Sequence, residues 1–219
     1  MASHTEENYL KTLLNLSDEK GEVNISELST VLQVSKPTVN SMVKNLEKQG
    51  LVHYEKYKPL SLTKKGKKEA ALVVRKHRLT EMYLVEKMGF GWEEVHEIAE
   101  QVEHIISPKF FERMDELLGH PRVDPHGSPI PDPTGQVIEY DHKPLSKRKP
   151  GDKIKLVALA HSSSEFLEFL NSRNLKLGTE LEIISIEPFD GSMVVRYEDH
   201  ESEPLSGKVC EKLLVANKK

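Results

Sequence analysis

The segment of residues 92–107, WEEVHEIAEQVEHIIS, limits what this chain can fold into more than any other segment. Its apolar residues fall on one side of a helix that turns by about 100° per residue, and they are Val95, Ile98, Val102, Ile105 and Ile106. Such a stripe predicts a helix that packs on a hydrophobic core. His96, Glu100, Glu103 and His104 gather on a separate narrow face. Their imidazole nitrogens and carboxylate oxygens are ligands that divalent first-row metals take.

A second segment, RKHRLTEMYL, carries His77 and Glu81 four residues apart, again on one face of a predicted helix. Side chains at this spacing have Cβ atoms within about 6 Å of each other, close enough to share an ion. A solvated polar face is the other interpretation of each cluster, and it stays open for either cluster alone. Because the two clusters lie within thirty residues of each other, together they strengthen the metal-binding interpretation more than either does alone.

Length and composition predict an ordinary globular protein. A chain of 219 residues is long enough for one large domain or two to three small ones. No apolar run approaches the roughly 18 residues that a membrane span requires, and the N-terminus shows no secretory signal pattern. Cys210 is the single cysteine, so no internal disulfide can form. Since a lone cysteine fits a reducing compartment, we expect a cytoplasmic protein without a membrane segment.

The charged residues are distributed unevenly along the chain. Between Lys36 and Arg78 there are twelve Lys or Arg and three Asp or Glu, a net charge of +9. Between Leu79 and His120 there are ten acidic and three basic residues, a net charge of −7. The basic segment suits a polyanion and the acidic segment suits cations. Two solvated faces are the alternative that the charge counts leave open.

Residues 25–50 have the outline of a helix-turn-helix. A short first helix is expected at Ser26, its predicted N-cap. The apolar residues of this helix are Leu28, Val31 and Leu32. Ser35 is the predicted cap of the second helix, Pro37 suits its first turn because no N–H is needed there, and Gly50 is a natural residue just past its end.

Two short strand-like runs, Leu51–Tyr54 and Leu60–Thr63, follow the second helix and predict a two-stranded wing. Ser, Thr and Asn can hydrogen-bond phosphates or base edges, and Lys neutralises phosphates. The predicted DNA-binding residues lie on the outward face of the second helix and at the wing tip, and they are Ser35, Lys36, Pro37, Thr38, Asn40, Ser41, Lys44, Lys56 and Lys58. A helix-turn-helix outline alone is weakly specific, but the wing and the basic segment together predict binding to double-stranded DNA.

Further helices are expected on both sides of this region. Residues 6–17 predict an amphipathic first helix that ends before Gly21. A long helix is expected from Lys64 to Gly89, apolar nearly all round its second half, and another from Pro108 to Gly119. This much apolar helical surface suits a dimer interface, which helix-turn-helix proteins that read palindromes usually need.

The last third of the chain changes in character. Seven of the twelve prolines lie in residues 121–150, which predicts an extended linker. Within it, Pro129-Ile130-Pro131 either docks on another part of the protein or belongs to a plain spacer. Beyond it, a short helix is expected after Ser162 and a hairpin turn at Asp190-Gly191. Strands are expected at residues 153–159, 181–186, 193–197 and 209–215, which together favour a small SH3-like β-barrel.

Nearly the full length of the chain resembles the metal-dependent repressors of the diphtheria-toxin-repressor and manganese-transport-regulator family. The resemblance is carried by the strings TEENYLKTLLNL, VSKPTVNSMVKNLEKQGLV, LTKKGKKEA, RKHRLTE, VHEIAEQVEHIIS and GHPRVDPHGSPIP. It implies a mainly α fold with β structure. The implied parts are an N-terminal winged helix-turn-helix DNA-binding domain at 1–70, a helical metal-binding and dimerisation domain at 71–120, a proline-rich linker at 121–149, and a C-terminal SH3-like β-barrel at 150–219, of the kind found in ferrous-iron-transport accessory proteins.

The resemblance also implies two metal sites. The implied primary site consists of Asn8, Glu100, Glu103 and His104. The implied ancillary site consists of His77, Glu81 and His96, with Glu165 as the candidate ligand from the C-terminal domain. Position 8 usually supplies Met or Asp in this family, whereas Asn8 offers a neutral amide oxygen. Position 100 is Cys in iron-type members, and the hard carboxylate of Glu100 favours Mn²⁺. Fe²⁺ stays open because the ligand sets of the two ions overlap.

The resulting prediction is a metal-activated repressor with Mn²⁺ or Fe²⁺ at two sites per subunit. It would bind operator DNA as a homodimer and control metal-uptake genes. The alternative is a winged-helix regulator that senses a non-metal signal, with its His and Glu faces merely solvated. An enzyme is not expected, because the sequence has no HExxH motif and no constellation around a Ser or Cys nucleophile.

Overall fold

The computed structural model describes residues 3–56, 58–138 and 140–217, which form two compact units. The first unit comprises Met1–Thr80, Glu97–Arg122 and Ile130–Ile138, and the second comprises Glu81–His96, Val123–Pro129 and Glu139–Lys219. Each unit has its own hydrophobic core. The expectation of a mainly α fold with a C-terminal β domain is confirmed, whereas the predicted domain boundaries remain a prediction. None of the helices within the described residues is long and apolar enough to cross a membrane.

Three helices begin the first unit: α1 (His4–Lys20), α2 (Ile25–Val31) and α3 (Lys36–Lys48). A reciprocal capping box starts α1, because Ser3 Oγ accepts from the Glu6 N–H and the Glu6 carboxylate accepts from the Ser3 N–H. The predicted Ser26 cap of α2 is wrong. Asn24 caps this helix. Its Oδ1 accepts from the Glu27 N–H at 3.0 Å, and the Glu27 carboxylate accepts from the Asn24 N–H at 3.0 Å. The reciprocal pair therefore starts α2 earlier than expected.

The helix-turn-helix and its wing form as predicted. Ser35 caps α3 by accepting from the Thr38 N–H at 3.3 Å, and Pro37 lies in the first turn. Strands β1 (Val52–His53) and β2 (Ser61–Leu62) pair antiparallel and form the two-stranded wing. The core of this region joins α1 to α2, α3 and the wing through Leu10, Leu13, Leu28, Val39, Val43, Leu46 and Leu60.

The helical region contains α4 (Lys64–Met88), α5 (Val95–Val102) and α6 (Pro108–Leu117). The helix predicted over residues 92–107 is too long at both ends. Glu103 and His104 lie in a turn just after α5, where the N–H of Ile105 bonds to the carbonyl three residues earlier at 3.0 Å. This tighter i→i+3 bonding is typical of a terminating helix. As a result Ile105 and Ile106, expected on the core face, are 41% and 66% exposed.

The segment predicted as an extended linker is partly built into the fold. Ile130 is buried, and Arg75 Nη1 donates to the Pro131 carbonyl at 2.7 Å in the first unit. This contact favours docking of the Pro-Ile-Pro string over a plain spacer. Further along, Leu145 is fully buried in the core of the second unit. The expectation of an extended linker is therefore wrong at these positions, because Ile130 and Leu145 are buried and fix the segment to the two units.

The second unit is organised around a six-stranded antiparallel sheet. Its strands are β3 (Lys143–Pro144), β4 (Lys153–Leu159), β5 (Glu180–Ile186), β6 (Met193–Tyr197), β7 (His200–Leu205) and β8 (Leu213–Asn217), in the order β3-β8-β4-β5-β6-β7. Helices α7 (Ser164–Asn171) and α8 (Gly207–Lys212) accompany it. The predicted strand over 209–215 begins too early, because Ser206 caps α8 by accepting from the Val209 N–H. Register shifts in three strand pairs bend the sheet, which fits the predicted SH3-like domain.

Candidate metal centre and nucleic-acid interface

Side chains from α1, α4 and the region of α5 meet at a buried cluster in the first unit. We call Lys11, His77, Glu100 and Glu103 the acidic cluster. The potential ligand atoms of His77, Glu100 and Glu103 lie within 4.8 Å of one another. The Glu103 side chain is fully buried, and its Oε2 accepts from His77 Nδ1 at 2.6 Å. Because a buried carboxylate is unstable without a charged or hydrogen-bonded partner, this position requires compensating positive charge.

Lys11 supplies that charge. Its Nζ lies 2.5 Å from Glu100 Oε1, and 2.7 and 2.9 Å from the two carboxylate oxygens of Glu103. The Lys11 side chain is only 11% exposed, so its ammonium group is largely removed from water. Sequence reasoning missed this residue, although Lys11 follows Asn8 by three positions and therefore shares a face of α1 with it.

His104 lies beside the acidic cluster and is held in place by Glu7. Its Nδ1 donates to Glu7 Oε2 at 2.6 Å, while its Nε2 lies 3.7 Å from Glu103 Oε1. The other carboxylate oxygen of Glu7 accepts from Lys76 Nζ at 3.1 Å. The imidazole ring stacks on His4 with 4.7 Å between ring centroids. Glu7 is thus a second residue of α1 that the sequence pattern did not reveal.

Asn8 provides a test of whether this region suits a divalent cation. Its Oδ1 is buried and has no hydrogen-bond partner within the parts of the chain that the structure describes. An unpaired buried oxygen is unfavourable, and an amide oxygen is a suitable ligand for a hard cation. The unpaired oxygen of Asn8, the carboxylates of Glu100 and Glu103 and the imidazole of His104 fit Mn²⁺ or Fe²⁺. The ammonium group of Lys11 does not fit such an ion.

A second group of potential ligands lies in the second unit. Glu81, Asp124 and His126 are all buried, and their potential ligand atoms lie within 4.8 Å of one another. His126 Nδ1 is 3.9 Å from Glu81 Oε2. His96 Nδ1 lies 3.4 Å from Glu81 Oε1, with the His96 side chain 59% exposed. Glu81 and His96 are among the ligands that the family resemblance implies, whereas Asp124 and His126 carry no such signal in the sequence.

Hydrogen bonds fix the orientation of both missed residues. Asp124 Oδ1 accepts from the N–H groups of His126 and Ser128 at 2.8 and 2.9 Å. His126 Nε2 lies 2.9 Å from the Trp92 carbonyl, which can only accept, so Nε2 carries the proton. In the neutral imidazole Nδ1 then keeps its lone pair on the side of Glu81. A backbone carbonyl that fixes the tautomer in this way is typical of metal-ligating histidines.

The residues predicted for the ancillary site lie in both units. His77 belongs to the first unit, where it contacts Glu103, whereas Glu81 and His96 belong to the second. Glu165 is exposed in the first turn of α7, where a hydrogen bond from its own backbone N–H lowers the pKa of its carboxyl group. Within the described residues, no group of three potential ligands includes Glu165, and its role stays a prediction.

Most of the predicted DNA-binding residues lie on the surface. The exposed ones are Ser35, Lys36, Pro37, Thr38, Ser41, Lys44, Lys56 and Lys58. Asn40 is half-buried, and its Oδ1 accepts from the Tyr54 hydroxyl at 3.2 Å. Lys58 Nζ pairs with Glu55 at 2.8 Å. Exposed pairs of this kind contribute about 0–1 kcal/mol, so Lys58 can exchange Glu55 for a phosphate at little cost.

Two neighbouring glutamates on α1 connect α3, the predicted recognition helix of the helix-turn-helix, to the region of the acidic cluster. Glu6 Oε1 accepts from the side-chain amides of Asn45 and Gln49, near the end of α3, at 2.8 and 2.5 Å. Glu7, the next residue, accepts from His104. The first turns of α1 therefore contact both α3, which carries most of the predicted DNA-binding residues, and a predicted metal ligand.

The helical region also exposes apolar side chains to solvent. Ile106 is 66% exposed, Phe110 41% and Leu117 53%. They lie on α6 and in the turn before it. Ile106 also lines a cavity of about 530 Å³, together with Ile105 and Phe111. An apolar surface of this kind is typical of a protein–protein contact.

Models of three known protein families match consecutive parts of the chain. Residues 1–60 match the N-terminal DNA-binding domain of iron-dependent repressors, and residues 63–132 match the metal-binding and dimerisation domain of the same repressors. Residues 143–217 match the FeoA domain. These matches confirm the winged-helix and SH3-like components of the predicted fold.

Individual relatives extend this similarity to most of the chain. The diphtheria toxin repressor of Corynebacterium efficiens is 31% identical over 198 residues, with 83% of each chain covered. The iron-dependent repressor IdeR of Mycobacterium leprae is 39% identical over 127 residues, which cover 58% of this chain. The aligned part spans 55%, about half, of the length of that relative and of similar ones.

Solved structures align over nearly the whole chain. A manganese-dependent transcriptional repressor in complex with manganese has a TM-score of 0.86 and 29% identity, with 97% of this chain and 100% of that chain covered. The manganese regulator SloR has a TM-score of 0.77 and 31% identity, with 97% and 98% covered.

Proposed function

Because this chain belongs to the iron-dependent repressor family, we propose that it is a metal-activated repressor of metal-uptake genes that binds operator DNA when Mn²⁺ or Fe²⁺ fills its metal sites. The observation that carries the proposal is the meeting of α1 with α4 and α5 at the acidic cluster. Helix α1 belongs to the segment that matches a DNA-binding domain, and α5 belongs to the segment that matches a metal-binding domain. The interactions at this cluster therefore set the position of one segment against the other.

The predicted primary ligands suit this task because they come from both segments. Asn8 offers its unpaired oxygen from α1, while Glu100, Glu103 and His104 offer two carboxylates and an imidazole from α5 and the turn after it. Glu7 holds His104 through Nδ1, so that Nε2 lies on the side of Glu103. A divalent cation bound here supplies the positive charge that these ligands require.

The remaining contacts of α1 provide a route to DNA. Glu6 bonds to the end of α3, so a change in the position of α1 is passed to the recognition helix. Two such helices in a dimer must lie about 34 Å apart to enter successive major grooves. Metal affinity and DNA affinity are then coupled reciprocally.

We further assign a second cation site to Glu81, Asp124 and His126, with His96 next to Glu81. His77 and Glu165 remain the other predicted members of the ancillary site. The oxygen-rich ligand sets of both sites suit Mn²⁺, and Fe²⁺ shares the same ligand preferences. These two groups of ligands support two sites per subunit.

We also propose that the protein acts as a homodimer in the cytoplasm, with double-stranded operator DNA as its partner. The match to a dimerisation domain and the exposed Ile106, Phe110 and Leu117 support the dimer. The exposed lysines of α3 and the wing support the DNA contact, since Lys neutralises phosphates and the resulting affinity depends on salt.

The test compares DNA affinity with and without metal. A duplex selected from a random-sequence library in MnCl₂ serves as the labelled probe in fluorescence anisotropy titrations. We expect Mn²⁺ to tighten binding roughly 5- to 150-fold over EDTA, the usual range of allosteric coupling. Glu103→Gln should abolish this response, whereas the same substitution at Glu97, an exposed glutamate of α5, should retain it. Equal affinity in Mn²⁺ and EDTA would instead support a regulator that senses a non-metal signal.

A further inference from the structure

We infer that Lys11 is a built-in competitor of the divalent cation at the acidic cluster. In this view metal binds to Glu100 and Glu103 only when the ammonium group of Lys11 leaves them. The inference rests on the proposed function for the identity of the cation. The contacts of Lys11 and the unpaired oxygen of Asn8 carry it.

Lys11 occupies the same oxygen atoms that a metal would use. Its Nζ contacts Glu100 Oε1 and both oxygens of Glu103, and His77 Nδ1 also donates to Glu103 Oε2. An ion bound directly to a carboxylate lies about 2.0–2.2 Å from the oxygen. An ion that took the lone pairs now engaged by Lys11 would therefore collide with its ammonium group, so the two cations cannot use these lone pairs at the same time.

The charge balance gives the same result. Lys11 leaves the two carboxylates with one net negative charge, and a divalent cation in its place makes the cluster neutral. Both cations together would leave an excess positive charge in a place where Glu103 is fully buried and Lys11 is 11% exposed. Since like charges repel strongly where water is excluded, exchange is favoured over shared occupancy.

Helix α1 can change its contact without leaving the cluster. The flexible four-carbon stem of lysine allows the ammonium group to swing away. Asn8, one helical turn before Lys11 on the same helix, keeps its Oδ1 buried and unpaired within the described residues. The exchange would therefore replace an ammonium donor with an amide ligand from the same helix. Metal binding would therefore change the residue through which α1 contacts the cluster, from Lys11 to Asn8.

The test measures Mn²⁺ binding to the full chain by isothermal titration calorimetry. Lys11→Gln removes the competing charge and keeps a polar side chain. We expect Mn²⁺ affinity at one class of sites to rise by about one to three powers of ten, the range over which a neighbouring charge shifts an ionic equilibrium. Adding Glu103→Gln to this variant should remove the tightened class. Lys109→Gln, which makes the same change of net charge at an exposed lysine of α6, should leave the affinity unchanged, as should the charge-retaining Lys11→Arg.

Equal or weaker Mn²⁺ binding by Lys11→Gln would overturn the inference. If this variant folds poorly without metal, because its carboxylates have lost their counter-charge, thermal unfolding replaces the titration. Mn²⁺ must then raise the Tm of Lys11→Gln by more than that of wild type, and an equal or smaller increase would overturn the inference.

The same variants separate this inference from the proposed function. If Lys11→Gln binds Mn²⁺ more tightly but DNA affinity is equal in Mn²⁺ and EDTA, competition stands and the repressor proposal fails. If wild-type DNA binding responds to Mn²⁺ but Lys11→Gln binds the ion no more tightly, the repressor proposal stands and competition fails.

Discussion

In the metal-free protein, the pairing of Lys11 with Glu103 should contribute measurably to folding. Glu103 is fully buried and accepts two hydrogen bonds from Lys11 and one from His77. Removing one member of a buried ion pair typically costs about 3–5 kcal/mol, because the other charge is left buried. Glu100, whose side chain is 37% exposed, still pairs with Lys11 in Glu103→Gln. We therefore expect a loss of about 3 kcal/mol in the free energy of unfolding, at the lower end of this range.

A double-mutant cycle isolates the pair itself. Lys11→Met should also destabilise the metal-free protein, and the double variant with Glu103→Gln should lose less than the sum of the single losses by about 2 kcal/mol. Urea unfolding in EDTA, followed by far-UV circular dichroism, measures these values. Trp92, the only tryptophan, lies in the second unit, so its fluorescence serves as an internal reference. Strict additivity, or single losses below about 0.5 kcal/mol, would refute the reasoning.

Three further predictions follow from other parts of the chain. Leu117→Asp should convert the proposed homodimer to a monomer in light-scattering measurements, because it places a charge on the exposed apolar surface of α6; an unchanged mass would place the interface elsewhere. Lys44→Ala should weaken binding about equally across DNA sequences and reduce the slope of log affinity against log salt by about one, and an unchanged slope would remove Lys44 from the phosphate contacts. Burial raises the pKa of the Cys210 thiol to about 11, so iodoacetamide labelling, followed by mass spectrometry, should be slow at neutral pH and should accelerate as the pH rises towards that value. Rapid labelling of the folded protein at neutral pH would contradict this.

Local signals account for most of the secondary structure that the sequence predicted. Ser35 and Pro37 define the start of α3 through a side-chain cap and a fixed backbone angle, and both act within a few residues. The end of α5 has no such signal. Its turn places Glu103 against Lys11, which lies 92 positions earlier in the chain. Helical periodicity is a local pattern and contains no information about a contact at that separation. The helix expected over residues 92–107 is therefore longer than α5.

The candidate site shows the same limit. Helical periodicity placed Glu100 and Glu103 on one face, but Lys11 and Glu7 gain their roles only once the packed face of α1 is known. Asp124 was hidden for another reason. It lies in a proline-rich segment that composition marks as a linker, yet its carboxylate accepts two backbone N–H groups and orders its own loop. Composition predicts whether a segment tends to be extended, but it does not reveal individual hydrogen bonds such as those of Asp124.

Anomalous diffraction from crystals grown with MnCl₂ tests most directly whether a cation joins α1 to the helical region. We predict a manganese peak bound by Glu100, Glu103 and His104, within reach of the Asn8 amide oxygen and with the Lys11 ammonium group turned away from Glu103. Manganese found only in the second unit, with Lys11 still bonded to Glu103, would contradict this assignment.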